Sequence, residues 1–349
     1  MNYCGIDIGG LSSYVYVSDA AGRKKWCGPV KTSRGMLEAT LKRYLRSGLT
    51  VAIEAGNQTA WVYTVLAEMG AEVVVVNPHQ VKLIAMSRKK TDKVDARILC
   101  ELLRIDGLPE PVHMPSEPMR QLRGLLAARR QLVQARTKLQ NVVRGMLRQD
   151  GMQLARGVLS TFKGWKQLLA RGFDHDHLAV IVANYYDSFV TVTRSIRSLD
   201  KELAEFEPRD QRVARLRTMP KVGRLAALTF VSAVDDVTRF PSSRKLVGYS
   251  GLAPTVRQSG ERTAYGPISR QGRRELRAVW VQVAHLVAID TSSATGPLRA
   301  WFHRVARRRG KKTAVVALAR RLLVIAYQLL KHGTEYDVSR LRKKRRVVA

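Results

Sequence analysis

The hydrophobic positions of the first hundred residues follow two different periods. Four short stretches have the alternating or continuous apolar pattern of β-strands, namely 1–10, 13–17, 50–56 and 71–76. Three further stretches have apolar residues at helical spacing, namely 33–45, 61–69 and 92–103. Thr91 is placed to cap the last of these helices, and a turn at 19–23 predicts a hairpin. Strands that alternate with helices predict an α/β domain whose sheet contains parallel strands.

Beyond residue 104 the pattern becomes mainly helical. Four prolines between 109 and 118 indicate a linker. Two long segments with an apolar stripe, 119–152 and 177–206, predict an antiparallel helical hairpin of the coiled-coil type. The pattern thus predicts three regions, namely an α/β domain at 1–112, a helical coiled-coil region at 113–207 and a mainly α-helical domain at 208–349.

The C-terminal region opens with two apolar segments around a proline–glycine turn. The turn Met219-Pro220-Lys221-Val222-Gly223 predicts a helix-hairpin-helix-like element, whose backbone amides are suited to a DNA phosphate. The polar stretch 255–272 contains several glycines and predicts an exposed loop. A long helix is expected to begin near Arg273.

The charge of the chain narrows the range of partners. Among 349 residues there are 61 Lys and Arg against 28 Asp and Glu, which gives a formal net charge of +33. An excess of this size makes a polyanion, and first of all nucleic acid, the expected partner. The three cysteines lack metal-binding spacing and fit a reducing cytoplasm. Neither a signal peptide nor an apolar run of 18 residues is visible, so no membrane partner is expected.

Four carboxylates in the first hundred residues lie where a catalytic site needs them. Asp7 and Glu54 stand at the ends of predicted strands beside glycine, and Asp92 and Asp95 share one face of a predicted helix. Grouped carboxylates repel one another unless a cation binds them, and hard oxygen ligands select Mg²⁺ or Mn²⁺. Two such ions can serve phosphodiester transfer. Strands and helices with this acidic set describe a ribonuclease-H-like nuclease core.

Motifs in both halves of the chain point to a particular family with such a nuclease core. The N-terminal motifs are Asp7-Ile8-Gly9, Ile53-Glu54 and Lys90-Thr91-Asp92-Lys93-Val94-Asp95-Ala96. The C-terminal motifs are Gly251-Leu252-Ala253-Pro254, Gln258-Ser259-Gly260 and Ile268-Ser269-Arg270-Gln271-Gly272. In this order they resemble the DEDD insertion-sequence transposases, which include pilin-gene invertases and have an N-terminal domain similar to the RuvC-like Holliday-junction resolvases. Lys221 departs from the family, which more often has glycine after the proline.

The resemblance implies a recombinase that joins donor and target DNA with the four carboxylates, Mg²⁺ or Mn²⁺, and a serine nucleophile. By motif that serine is Ser259, and Arg257 and Arg262 beside it are suited to hold phosphate oxygens. The resemblance further implies a structured guide, the bridge RNA, and a homo-oligomer, either a dimer or a tetramer. Further basic residues expected to contact nucleic acid are Arg270, Arg273, Arg274 and Lys221. A bacterial, cytoplasmic protein associated with the nucleoid is expected.

Other functions remain open at this point. A RuvC-like endonuclease that cuts Holliday junctions would explain the carboxylates and the charge, but not a second basic domain with a Ser-Gly motif. The segment 5–10 also resembles the first phosphate loop of sugar kinases and actin-like ATPases, although the further loops of that fold are missing. An architectural DNA-binding protein would not need the four carboxylates.

Overall fold

A computed structural model describes residues 1–84, 91–259 and 262–341, without the side chains of Arg257, Ser259, Arg262 and Thr263. The chain divides into two compact units, Met1–Pro115 and Ser116–Ala349. The predicted division of the second unit near residue 207 stays a prediction.

The first unit is built on a five-stranded sheet. Its strands are β1 (Asn2–Asp7), β2 (Ser12–Asp19), β3 (Lys24–Lys31), β4 (Leu49–Glu54) and β5 (Glu72–Val76). Their order in the sheet is β3-β2-β1-β4-β5. The first three strands form an antiparallel meander, and β4 and β5 run parallel to β1. The helices are α1 (Arg34–Leu45), α2 (Thr59–Glu68), α3 (Pro78–Ile84) and α4 (Asp92–Arg104).

The alternation of side chains along β1 separates two helical layers. Cys4 and Ile6 point into an apolar core that contains Leu41 of α1 and Val65 of α2. The opposite face presents Gly5, and there α4 packs so closely that its backbone contacts the strand. The sheet therefore has α1 and α2 on one side and α4 on the other.

The second unit is mostly helical. Its helices are α5 (Glu117–Gln149), α6 (Phe162–Arg171), α7 (Asp176–Phe206), α8 (Gln211–Arg217), α9 (Arg224–Val234), α10 (Ser243–Tyr249), α11 (Arg274–Ile289), α12 (Gly296–Arg309) and α13 (Lys311–His332). Helix α9 is buried from Ala226 to Val234 and lies at the centre of the main core.

Helices α5 and α7 pack antiparallel to each other. Near one end Val143 of α5 shares an apolar cluster with Val182 and Phe189 of α7. Near the other end Arg129 of α5 forms an ion pair with Asp200 of α7. Contacts at both ends fix the register of the two long helices.

One predicted loop is in fact a β-hairpin. The predicted loop 255–272 overlaps β6 (Pro254–Ser259) and includes β7 (Arg262–Ile268), and the two strands pair antiparallel with Val256 opposite Tyr265. The prediction of a loop was wrong because the glycines and polar residues concealed the β-branched and aromatic residues that favour strands.

Helix α13 is the one helix of the described part that is long and apolar enough to cross a membrane. It is not an uninterrupted apolar run in the sequence, because Arg320 and Arg321 lie within it. Half of its most apolar window is buried within the fold. It contributes Leu318, Leu322 and Tyr327, among others, to the main core of the second unit. A buried core helix has this apolar composition too.

The predicted fold class is confirmed in its coarse form. The N-terminal part is a mixed α/β sheet with helices on both faces, and the rest is mainly helical. The strand order, with a meander followed by two parallel strands, is compatible with a ribonuclease-H-like arrangement.

Candidate active site and nucleic-acid interface

Two of the predicted carboxylates lie side by side at one edge of the sheet. Asp7 is the last residue of β1 and Glu54 is the last residue of β4, the strand that pairs parallel with β1. Because Ile6 is opposite Ile53 in this pairing, Asp7 and Glu54 are the next residues on both strands and point to the same face. Both side chains are half-buried. The carboxyl ends of parallel strands are the usual place for a ligand site in an open α/β sheet.

Helix α4 brings the two other carboxylates toward the same edge. The thiol of Cys100 donates to the carbonyl oxygen of Tyr3 at 3.3 Å, whereas Ala96 lies over Gly5. The helix therefore runs antiparallel to β1, and its first turn points toward the end where Asp7 stands. This first turn contains Asp92, which is exposed, and Asp95, which is half-buried.

The predicted cap of this helix is confirmed. The hydroxyl of Thr91 accepts a hydrogen bond from the amide of Val94 at 3.3 Å, so α4 starts directly before Asp92. The basic residues that precede it, Arg88, Lys89 and Lys90, lie outside the described residues. Carboxylates in the first turn are also favoured by the helix dipole, which lowers the cost of collecting negative charge here.

The four carboxylates have the oxygen donors that Mg²⁺ prefers, but their side chains are not close enough together in the described structure to coordinate one ion. All four provide hard oxygen donors, and the close packing of α4 on Gly5 brings Asp92 and Asp95 toward the sheet edge where Asp7 and Glu54 lie. Within residues 1–84, 91–259 and 262–341, no group of three or more His, Cys, Asp and Glu side chains lies close enough to hold a metal ion. The assignment of Asp7, Glu54, Asp92 and Asp95 as metal ligands therefore stays a proposal.

Gly5 allows a first test of this arrangement. A Cβ atom at Gly5 would lie 2.0 Å from the carbonyl oxygen of Ala96 and 2.6 Å from the amide nitrogen of Cys100. Both are backbone atoms, so Gly5→Ala has to push α4 away from β1. We expect a loss of about 1–3 kcal/mol in the free energy of unfolding, as for other overpacked cores. Urea-induced unfolding of the full chain measures this loss.

Gly10→Ala is the matched control for this test. Gly10 follows the same strand, but a Cβ atom there meets no atom within 4 Å. We expect its free energy of unfolding to stay within about 0.5 kcal/mol of the wild type, as for other surface substitutions. Equal stability of Gly5→Ala and wild type would contradict the close packing of α4 on β1.

The predicted nucleophile lies on the β-hairpin of the second unit. Ser259 is the last residue of β6, and its backbone is opposite Arg262 at the start of β7. The side chains of Ser259, Arg257 and Arg262 lie outside the described part of the structure. Of the two weaker candidates, Ser250 is fully buried and its hydroxyl donates to the carbonyl oxygen of Val247 at 2.7 Å. Ser269 is half-buried.

The proline–glycine turn connects α8 and α9 as the sequence predicts. Lys221 occupies it with a φ of 64°, a left-handed conformation in which glycine is unstrained. Its amino group lies 2.9 Å from a carboxylate oxygen of Asp290. Hydrogen bonds from Ser292 and Lys221 hold the pKa of Asp290 at about 2. The charge of Lys221 is therefore engaged within the protein, unlike that of a freely exposed lysine.

The other predicted nucleic-acid contacts surround the start of α11. Arg270 and Arg274 are exposed. Arg273 is half-buried, and its Nε donates to the hydroxyl of Tyr249 at 3.0 Å. Arg270 and Arg274 thus have the exposure that a surface contact needs, whereas Arg273 belongs to an internal group.

This internal group was missed by the sequence analysis. Around the hydroxyl of Tyr249 the fold collects Arg273, Arg239 and Arg123. Burial raises the pKa of the Tyr249 phenol, but the charges of the three arginines and the hydrogen bond from Arg273 bring it below its ordinary value. The residues come from α5, from the loop after α9, from α10 and from the segment before α11. Their separation along the chain left no sequence signal.

Two family models match successive parts of the chain. A transposase model of the DEDD type from IS110 matches residues 4–150, which include the four carboxylates. A model described as the transposase IS116/IS110/IS902 family matches residues 213–299, which include the proline–glycine turn, the β-hairpin and α11.

Curated relatives are similar over most of their length. The transposase for insertion sequence element IS1111A of Coxiella burnetii is 27% identical over 295 residues, which are 84% of this chain and 80% of the relative. A putative transposase of Sinorhizobium fredii, y4qE, is 28% identical over 346 residues, 91% of this chain and 85% of the relative. The pilin gene-inverting protein of Moraxella bovis is 26% identical over 357 residues, 96% of this chain and 97% of the relative.

Proposed function

Because the chain belongs to the IS110/IS116 family of transposases, we propose that it cuts donor and target DNA of an insertion sequence and rejoins the strands. The observation that carries this proposal is the presence of both transposase domains, in order, on one chain. The first contains carboxylates at one edge of the sheet, and the second contains the hairpin with Ser259. A nuclease that only cuts would not need the second domain.

The residues of the first unit would hold a divalent cation. Asp7, Glu54, Asp92 and Asp95 are the proposed ligands, and the hard oxygen donors favour Mg²⁺ or Mn²⁺. When bound, such a cation supplies charge neutralisation for a phosphodiester and acidifies an attacking hydroxyl. The sheet edge fixes Asp7 and Glu54 on neighbouring strands, while the start of α4 carries Asp92 and Asp95.

The second unit would supply the nucleophile. In the proposed first step, the hydroxyl oxygen of Ser259 forms a bond to phosphorus, and the bond from phosphorus to a deoxyribose oxygen breaks. The proton of Ser259 leaves to a base, and the deoxyribose oxygen takes up a proton. In the second step a deoxyribose hydroxyl of another strand forms a bond to the phosphorus of the serine–DNA ester and gives its proton to a base, while the bond from phosphorus to the Ser259 oxygen breaks and that oxygen takes up a proton. The ester conserves the phosphodiester energy, so rejoining needs no external energy source.

The positive charge of the chain supports a further part of the proposal. A net charge of +33 suits a protein that binds the phosphates of both DNA and a structured guide RNA. Exposed Arg270 and Arg274 are proposed phosphate contacts in the second unit. We further propose that the protein works as a homo-oligomer, either a dimer or a tetramer, in the bacterial cytoplasm.

A recombination assay tests the proposed function. The full chain is purified with its copurifying RNA and mixed with donor and target plasmids in Mg²⁺, and the RNA is sequenced to identify the guide. We expect joined products that disappear after EDTA and return with added Mg²⁺, and that also disappear after ribonuclease treatment. Cutting of four-way junctions without any joined product would favour a junction endonuclease instead. Joining that persists in EDTA would contradict the metal-dependent carboxylate site.

A further inference from the structure

A cavity of about 540 Å³ lies within the second unit between α5, α9 and α11. Its size falls in the range of small-ligand sites. Leu126 and Val133 of α5 and Val279 of α11 contribute an apolar wall, whereas Thr229 and Gln282 add neutral polar groups. The cavity is also lined by four arginines, namely Arg123, Arg129, Arg130 and Arg273, and by one carboxylate, Glu275.

Two of these arginines are neutralised by carboxylates. Arg130 lies 3.1 Å from Glu275, and Arg129 forms the ion pair with Asp200. The burial of Glu275 raises its pKa, but hydrogen bonds from its own amide and from Arg130 bring it below its ordinary value, so this pair is charged at neutral pH. The positive surplus of the cavity therefore comes from Arg123 and Arg273.

Arg123 and Arg273 have hydrogen bonds to neutral groups. Arg123 donates to the carbonyl oxygens of Ser232 and Ala233, at 2.6 and 3.1 Å. Burial and the charge of Arg273 lower the pKa of Arg123 to about 10, so the Arg123 guanidinium is charged at pH 7 and is repelled by that of Arg273. Asp235 is near enough to offset part of this repulsion.

Capping of the C-terminal end of α9 explains the positions of only some of the arginines around Tyr249. The carbonyl groups at the C-terminal end of α9 lack partners within the helix, and arginine side chains commonly satisfy such groups. Arg123 and Arg239 do so here, since Arg239 donates to the carbonyl oxygen of Val234 at 3.0 Å. The Nε of Arg273 donates instead to the Tyr249 hydroxyl, which in turn donates to the carbonyl oxygen of Ala233 at 3.2 Å. A second cation held beside Arg123 costs energy that capping does not offset.

We propose that this cavity binds a phosphate group of a nucleic-acid strand between Arg123 and Arg273. Guanidinium groups make charge-assisted hydrogen bonds to phosphate oxygens, and a phosphodiester would cancel the repulsion between the two arginines. The apolar wall is suited to the sugar or base attached to that phosphate. The site would tie the long helix α5 to α11 when nucleic acid is bound. This inference rests on the proposed function only in taking the phosphate from a nucleic acid.

Tyr249 provides a local reporter for this test. Its hydroxyl accepts the hydrogen bond from Arg273, so a phosphate anion bound at Arg273 should raise the pKa of this phenol. The full chain is labelled with ¹³C at the tyrosine ζ-carbons, and the Tyr249 signal is assigned by Tyr249→Phe. We expect a saturating eight-nucleotide single strand to raise the pKa of Tyr249 by about 1. Inorganic phosphate is the second probe and should have a smaller effect.

Three variants separate a built site from general electrostatic attraction. Arg273→Gln should bind the strand more weakly and lose the rise in the pKa of Tyr249, and Arg273→Lys should keep part of it. Arg148→Gln removes the same charge from an exposed position on α5 and should keep the full rise. Thermal unfolding checks that each variant is folded.

The wild-type titration decides the proposal without any variant. A pKa of Tyr249 that stays constant while the strand binds elsewhere would overturn it. A rise with inorganic phosphate but none with the strand would overturn the assignment to nucleic acid. Loss of recombination in the assay described above would leave this result unaffected, because the titration measures binding alone.

Discussion

Asp7→Asn is expected to lower the rate of joined-product formation by at least about a hundredfold, the size of effect seen when a charge-stabilising group is removed from an active site. The substitution keeps the shape of the side chain at the end of β1 but removes the negative charge beside Glu54. A neutral amide is a weaker ligand for Mg²⁺ than a carboxylate. Product formation at saturating DNA, followed in Mg²⁺ over time, measures the loss.

Glu68→Gln is the matched control for Asp7→Asn. Glu68 is an exposed carboxylate at the end of α2 that forms an ion pair with Arg34 on the surface. Exposed pairs of this kind contribute about 0–1 kcal/mol, so activity and stability should be almost unchanged. Both variants should bind DNA as the wild type does. Full activity of Asp7→Asn would exclude this carboxylate from the chemistry.

Ser259→Ala is expected to bind DNA and RNA normally and to form no covalent protein–DNA adduct. The substitution removes the proposed nucleophilic oxygen, while the backbone pairing of β6 with β7 does not depend on the side chain. Wild-type protein incubated with labelled donor DNA should give a slower band on a denaturing gel, and Ser259→Ala should give none. Joined product should fall below detection in the same samples.

Ser269→Ala is the control for the assignment of the nucleophile. Ser269 follows β7 in the same hairpin region, whereas Ser250 is buried and its hydroxyl is hydrogen-bonded. The adduct should persist in Ser269→Ala. An adduct in Ser259→Ala that disappears in Ser269→Ala would move the nucleophile to Ser269. Mixing Ser259→Ala with Asp7→Asn protein then asks whether two subunits share the work, because restored joining requires one intact copy of each residue.

The local pattern of the sequence was sufficient for the elements that carry the candidate site. The sequence predicted that Asp7 and Glu54 end strands and that α4 starts after Thr91. These features depend on alternation, on glycines and on a capping threonine, which are signals contained within a few neighbouring residues. The two long helices followed from their apolar stripes for the same reason. The hairpin that contains Ser259 was missed because single glycines favour a loop and a strand turn equally well.

The arrangement of those elements was decided by contacts between distant parts of the chain. In the sequence Gly5 is one glycine of a predicted strand. Only the tertiary structure shows that a side chain at this position would collide with the backbone of Ala96 and Cys100. The group of Arg123, Arg239 and Arg273 around Tyr249 likewise comes from four separate segments. The sequence by itself determined which residues bear charge and which local elements form. Which charges meet depended on the tertiary structure, because packing and desolvation act between surfaces that periodicity along one segment does not describe.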